Sequence, residues 1–67
     1  MSAARLTYRQ RQMLQMLHDG FSRVEITART GLHRTTVDDH LYNARILLEA
    51  RTTIHAVVIA KREGVIG

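Results

Sequence analysis

A chain of 67 residues with no cysteine and no proline has room for one domain only, and no disulfide or thiolate metal site can staple it. Ten Lys+Arg against six Asp+Glu give a formal charge of +4, a balance that favours an acidic partner, nucleic acid first among them. At 45% hydrophobic residues the composition excludes a disordered tail, so the fold must rest on an idealised helical core or on oligomerisation.

Apolar residues recur at helical spacing instead of alternating, which predicts an all-α fold of four helices over about 8–19, 23–30, 34–49 and 53–63. The first helix starts after Thr7. Thr7-x-x-Gln10 has capping-box form, with Leu6 placed to staple onto the first turn. Met13, Leu14, Met16 and Leu17 make its buried stripe, and Gly20 supplies a left-handed residue to end it. Ser22-x-x-Glu25 is a second capping box; Val24, Ile26, Thr27 and Thr30 follow, and Gly31 is the stop.

In the third helix Val37, Leu41, Ala44 and Leu48 fall at steps of four, three and four, one apolar stripe. Arg34, Thr35, Asp38, Asp39, Tyr42 and Arg45 lie on the opposite face. The fourth helix opens near Thr52 or Thr53 and stops before Gly64. Lys61 and Arg62 sit in its last turn, where cations suit the helix dipole. Its apolar content (Ile54, Ala56, Val57, Val58, Ile59, Ala60) exceeds what one stripe requires.

Several function classes drop out. The longest apolar run, Ala56–Ala60, is far below the roughly 20 residues that span a bilayer. The N-terminus lacks an apolar signal-peptide core, so a cytoplasmic protein is expected. No Gly-rich phosphate loop, nucleophile elbow or paired-carboxylate cleft appears, and no enzymatic step is expected. His18, His33, His40 and His55 are not in metal-ligand spacing, so neither metal nor cofactor is expected.

Gly31-Leu32-His33 joins a short capped helix to a longer one, the layout of a helix-turn-helix. A turn of this kind holds the second helix proud of the body, and a helix fits the major groove, about 12 Å wide. The first helix of the pair then crosses the backbone, where Arg23 can meet phosphate. An ordinary helical hairpin in a small bundle has the same spacing.

The ordered set Leu6-Thr7-x-Arg9, Leu14, Gly20, Ser22-x-x-Glu25-Ile26, Gly31-Leu32, Thr36-Val37-x-x-His40, Leu48, Arg51, Ala56-Val57, Ala60 and Gly64-Val65-Ile66 resembles the LuxR-type helix-turn-helix domain. The likeness runs from Leu6 to Ile66 without a gap and leaves residues 1–5 as a flexible arm. Region four of sigma factors shares the early Leu-Thr-x-Arg-Gln-Arg but does not usually carry the fourth helix. The resemblance implies a DNA-binding transcription regulator, with the third helix as reader and the fourth as dimer interface. Carried over by position, base reading falls on Arg34, Thr35, Asp38, Asp39 and Tyr42, and backbone contact on Thr36, Arg45 and Arg51, beside the Arg23 that the helix-turn-helix layout offers. Val37 is expected to split its surface between core and groove.

One departure falls on the reading helix. The residue after Thr-Val is typically lysine in the family, and here it is Asp38, followed by Asp39. Phosphates repel carboxylates, which offer the bases acceptors only. Three readings stay open: a carboxylate accepts from the amino group of cytosine; it pairs with Arg34, Tyr42 or Arg45 and orients them; or the helix docks a basic protein surface, as another transcription protein would offer. The basic charge is uneven. Met1–Thr36 holds six arginines against Asp19 and Glu25, while Val37–Gly67 balances four cations with four carboxylates.

Other residues have plainer expectations. Arg9 forms an internal ion pair, with Glu25 as candidate partner; His40 is a hydrogen-bonded core histidine; Met13 and Met16 fill the core; Arg5 adds only nonspecific attraction. His33 stands where the family usually has a serine cap and is expected to cap poorly while remaining able to reach phosphate. The surplus on the fourth helix (Ile54, Val58 and Ile59, with Arg62 beside them) is expected to meet a second copy. A two-fold homodimer would present two reading helices about one DNA turn apart, on an inverted repeat. Packing under the Val65-Ile66 tail within one chain is the alternative. Family members commonly carry a receiver or ligand-binding domain before this module; none precedes it here, so a freestanding regulator of bacterial or phage type is expected.

Overall fold

The computed structural model describes residues 5–67, in which four helices follow one another: α1 (Tyr8–His18), α2 (Arg23–Thr30), α3 (Arg34–Leu47) and α4 (Thr53–Arg62). Of the expected arm, all but Arg5 lies outside the described residues. No strand occurs among the described residues, and none of their helices is long and apolar enough to cross a membrane.

Local chemistry starts each helix. Thr7 Oγ1 accepts from the Gln10 N–H at 3.1 Å, and Gln10 Oε1 accepts from the Thr7 N–H at 2.9 Å. Ser22 and Glu25 repeat the exchange at 3.1 and 2.8 Å. Those bonds from Ser22 hold the Glu25 carboxyl below its ordinary value. His33 corrects an expectation: its Nδ1 accepts from the Thr35 N–H at 3.1 Å, so the ring does cap α3. Thr52 caps α4 by accepting from the His55 N–H at 3.0 Å, while His55 Nδ1 accepts from the Arg51 N–H at 3.0 Å.

Three helices end in the same pair of backbone hydrogen bonds. Gly20 after α1 and Gly64 after α4 take φ of 97° and 74°. In each case the next residue donates back five positions, Phe21 to Met16 O and Val65 to Ala60 O. The end of α3 has identical bonding, Glu49 to Ile46 O and Ala50 to Arg45 O, but its left-handed residue is Glu49, at φ 56°. The helix therefore stops at Leu47, short of the expected 49. No glycine marks that stop in the sequence.

The core gathers Leu6, Met13, Leu14, Ile26, Val37, Leu41, Ala44, Leu48, Ala50, Ala56, Ala60 and Ile66. Helix α3 packs against all three of the others. Val37 is fully buried, so it gives no surface to a groove. Met16 and Leu17 are half-buried against the core, as are Val57, Ile59 and Val65. Arg9 donates to Gln12 Oε1 at 2.9 Å, not to Glu25. His40 is half-buried on the flank of α3. After α4 the tail folds back: Ile66 enters the core, and the Gly67 N–H donates to Gln15 Oε1 at 2.9 Å. The radius of gyration is 10.7 Å, against about 11 Å for a compact chain of this length. One copy thus closes a core without a staple.

Candidate nucleic-acid interface

The stripe that buries Val37, Leu41, Ala44 and Leu48 fixes the rotation of α3. Its far side then carries Thr35, Asp39, Tyr42, Asn43 and Ile46, all exposed. Asn43 and Ile46 are additions to the expected set. Ile46 is half exposed although it lies beside Leu47 and Leu48, and that apolar run hid it. Its signal was its spacing, four residues after Tyr42 and seven after Asp39, on the outward line.

Asp38 stands on the flank of α3 that turns toward α2 and the start of α4. Arg23 Nη1 donates to Asp38 Oδ1 at 2.8 Å, and Arg23 Nη2 donates to Thr53 Oγ1 at 3.1 Å. One guanidinium thereby ties α2, α3 and α4 together. Arg34 Nε approaches Asp38 Oδ2 at 3.9 Å from the preceding turn, an electrostatic contact too long for a hydrogen bond. Of the three partners expected for the carboxylates, only Arg34 meets Asp38, and the closer partner, Arg23, comes from another helix. Asp39 enters no ion pair among the described residues.

Arg23, Arg34, Asp38, Asp39, Tyr42, Arg45 and Thr53 line an open concavity of about 500 Å³. Three guanidinium groups face two carboxylates there, so its balance is cationic. Arg45 lies over the Tyr42 ring, its guanidinium carbon 5.2 Å from the centroid, and also donates to Ala50 O at 3.0 Å. Four of the expected base-reading residues, Arg34, Asp38, Asp39 and Tyr42, are therefore brought together with Arg23 and Arg45, while Thr35 is exposed on α3 outside the concavity. Thr36 is half-buried on the other flank, and Arg51 is exposed in the α3–α4 loop. Among the described residues no group of three or more metal-ligating side chains gathers.

On α4, Ile54 and Val58 are exposed at 71% and 46%, and Arg62 is exposed four residues further on. Spacing of four puts these three on one line. Ile59, grouped with them from the sequence, packs instead against the core of its own chain.

No curated protein and no solved structure matches this chain. A family described as bacterial regulatory proteins, luxR family, matches residues 4–60, which spans the capped first helix, the α2–turn–α3 unit and most of α4. The matched span stops at Ala60, before the Gly64-Val65-Ile66 tail. With a four-helix all-α fold, an α3 whose outer face is exposed and that match over most of its length, the chain belongs to the LuxR-type helix-turn-helix family of bacterial DNA-binding transcription regulators.

Proposed function

We propose that the protein acts as a sequence-specific transcription regulator that binds an inverted repeat as a homodimer, with α3 in the major groove. The observation that carries this reading is the outward face of α3: exposed Thr35, Asp39 and Tyr42 flanked by Arg34, beside the cationic concavity. The Arg34 fork matches the O6 and N7 acceptors of guanine, the Thr35 hydroxyl serves as donor or acceptor, and Asp39 accepts from a cytosine amino group. Tyr42 offers a ring stiffened by Arg45. Arg23, Thr36, Arg45 and Arg51 are the candidates for phosphate contact in this reading. Asp38 acts less on bases than on its arginine neighbours. The protein is cytoplasmic in this reading, and binding needs neither cofactor nor metal.

The stripe of Ile54, Val58 and Arg62 supports pairing of two copies along α4. Ile59 contributes from beneath, by backing the exposed residues. Docking of α3 onto a basic protein surface, in the manner of a sigma-factor region or an inhibitor, is the weaker reading. Asp38 is already engaged by two arginines, which leaves Asp39 as the outward carboxylate.

Selection of bound sequences from random DNA tests the proposal in one experiment. The expected product is a two-fold symmetric site whose half-sites are centred about 10 base pairs apart. Failure to enrich any sequence would refute specific recognition, and enrichment of a single asymmetric half-site would refute the dimer.

A further inference from the structure

A regulator that reads a basic face against DNA must limit how strongly that face holds arbitrary sequence. Phosphate contacts dominate nonspecific affinity, and each cation that meets a phosphate adds about 0.9 to the salt dependence of binding. Arg23 is at the first position of α2, the end of a helix-turn-helix scaffold that faces the backbone. Its two terminal nitrogens are nevertheless engaged, one on Asp38 and the other on Thr53. Arg34, one turn before Asp38, is drawn by the second oxygen of the same carboxylate.

A carboxylate and a phosphate present the same acceptor edge to a guanidinium. The carboxylate here is attached to the same chain, so it competes at the high effective concentration of an intramolecular partner. We propose that Asp38 is a positioning residue that stands in for phosphate, holding Arg23 and Arg34 off the DNA backbone and so setting a low level of nonspecific binding. The inference rests on the reading of this face as the DNA interface. A free arginine pair in the same place would keep more of the protein on arbitrary DNA, where competing sites vastly outnumber specific ones.

The neighbouring carboxylate supplies the control. Asp38 and Asp39 carry equal charge on adjacent residues of one helix, but only Asp38 touches an arginine. Simple repulsion of phosphate predicts that removing either has the same effect. Restraint of Arg23 and Arg34 predicts that Asp38 matters more.

The test uses Asp38→Ala, Asp39→Ala and Arg23→Ala/Asp38→Ala in the full chain. A labelled duplex of arbitrary sequence reports affinity by fluorescence anisotropy between about 50 and 200 mM salt. Asp38→Ala should steepen the slope of log affinity against log salt by about one to two, a loss of affinity about 4-fold to 12-fold larger over that range. Asp39→Ala should give less than half that change. Removing Arg23 as well should cut the increment to that of Arg34 alone, about one. Should Asp38→Ala fail to give the wild-type circular dichroism spectrum, Asp38→Asn keeps the side-chain volume and should steepen the slope less, in the same direction. Equal slopes for Asp38→Ala and Asp39→Ala would overturn the proposal in favour of bulk charge. An unchanged slope in Asp38→Ala, with wild-type protein binding normally, would overturn it and leave DNA binding standing. Absence of binding by wild-type and variants alike at the lowest salt would overturn the DNA reading and the inference together.

Discussion

Replacing Glu49 by glycine should stabilise the protein. Glu49 sits at φ 56°, in the left-handed region that costs an L-residue roughly 1–2 kcal/mol. Glycine has no such cost there, but its extra freedom in the unfolded chain returns about 0.5–1 kcal/mol, leaving a net gain of about 1 kcal/mol. The surrounding bonds do not involve the Glu49 side chain: Glu49 N–H to Ile46 O at 3.0 Å, Ala50 N–H to Arg45 O at 2.9 Å, and Arg45 Nη1 to Ala50 O at 3.0 Å. A chain of 67 residues unfolds with an entropy near 0.14 kcal/mol/K, so the expected rise in melting temperature is about 7 °C. Glu49→Ala is the comparison that matters. It removes the same carboxylate from a helix C-terminus, where negative charge is unfavourable, yet keeps the Cβ. Thermal melts by circular dichroism should place Glu49→Gly about 1 kcal/mol above Glu49→Ala. Equal melting temperatures would refute the argument, because the backbone at position 49 would then impose no cost on a side chain.

Acid should weaken the start of α2. The folded-state value of Glu25 is held below its ordinary 4.5 by the bonds from Ser22. Between those two values the unfolded chain binds the proton more readily, so this contribution is complete above about pH 4.5 and is lost as pH falls through the folded value. Glu25→Gln, whose carboxamide can still close the box, should flatten that part of a stability profile taken between pH 6 and about 3. Ile54→Glu with Val58→Glu should leave the monomer folded, since both residues are exposed, while sedimentation should show loss of the proposed dimer and the affinity for the proposed inverted repeat should fall. Leu41→Ala removes a fully buried side chain from the helix that touches all the others. A loss of about 2–5 kcal/mol is expected in chemical denaturation; in a domain this small, a variant still as stable as the parent would mean that α3 is not central to the core.

Where a feature depends on a few adjacent residues, it could be read from the sequence. Two capping boxes and Gly20, Gly31 and Gly64 place the limits of α1, α2 and α4 to within about a residue. The end of α3 was not legible because Glu49 does a glycine's work, and nothing in the side chain announces that. The cap at His33 was missed for a related reason, since ring nitrogen is an uncommon acceptor at that position. Contacts between helices were the harder part. Arg23 and Asp38 are fifteen residues apart, and their meeting depends on how the Gly31-Leu32-His33 turn sets α2 against α3. Spacing along one helix found Arg34 as a partner for Asp38 but could not find Arg23. Burial of Ile59 and Val37 likewise depends on neighbours that only the assembled fold provides.

Helix α3 divides its residues between two duties with little overlap. Val37, Leu41, Ala44 and Leu48 hold it to the other three helices, whereas Thr35, Asp39, Tyr42, Asn43 and Ile46 project away from them. The outward set can therefore be randomised as a library with folding largely untouched, because solvent-facing positions of a helix tolerate substitution within about 0.5 kcal/mol. Asp38 is the exception, since exchanging it releases Arg23 of α2, the guanidinium that also reaches Thr53 of α4. A re-targeted version of this protein would vary five positions freely and keep the sixth fixed.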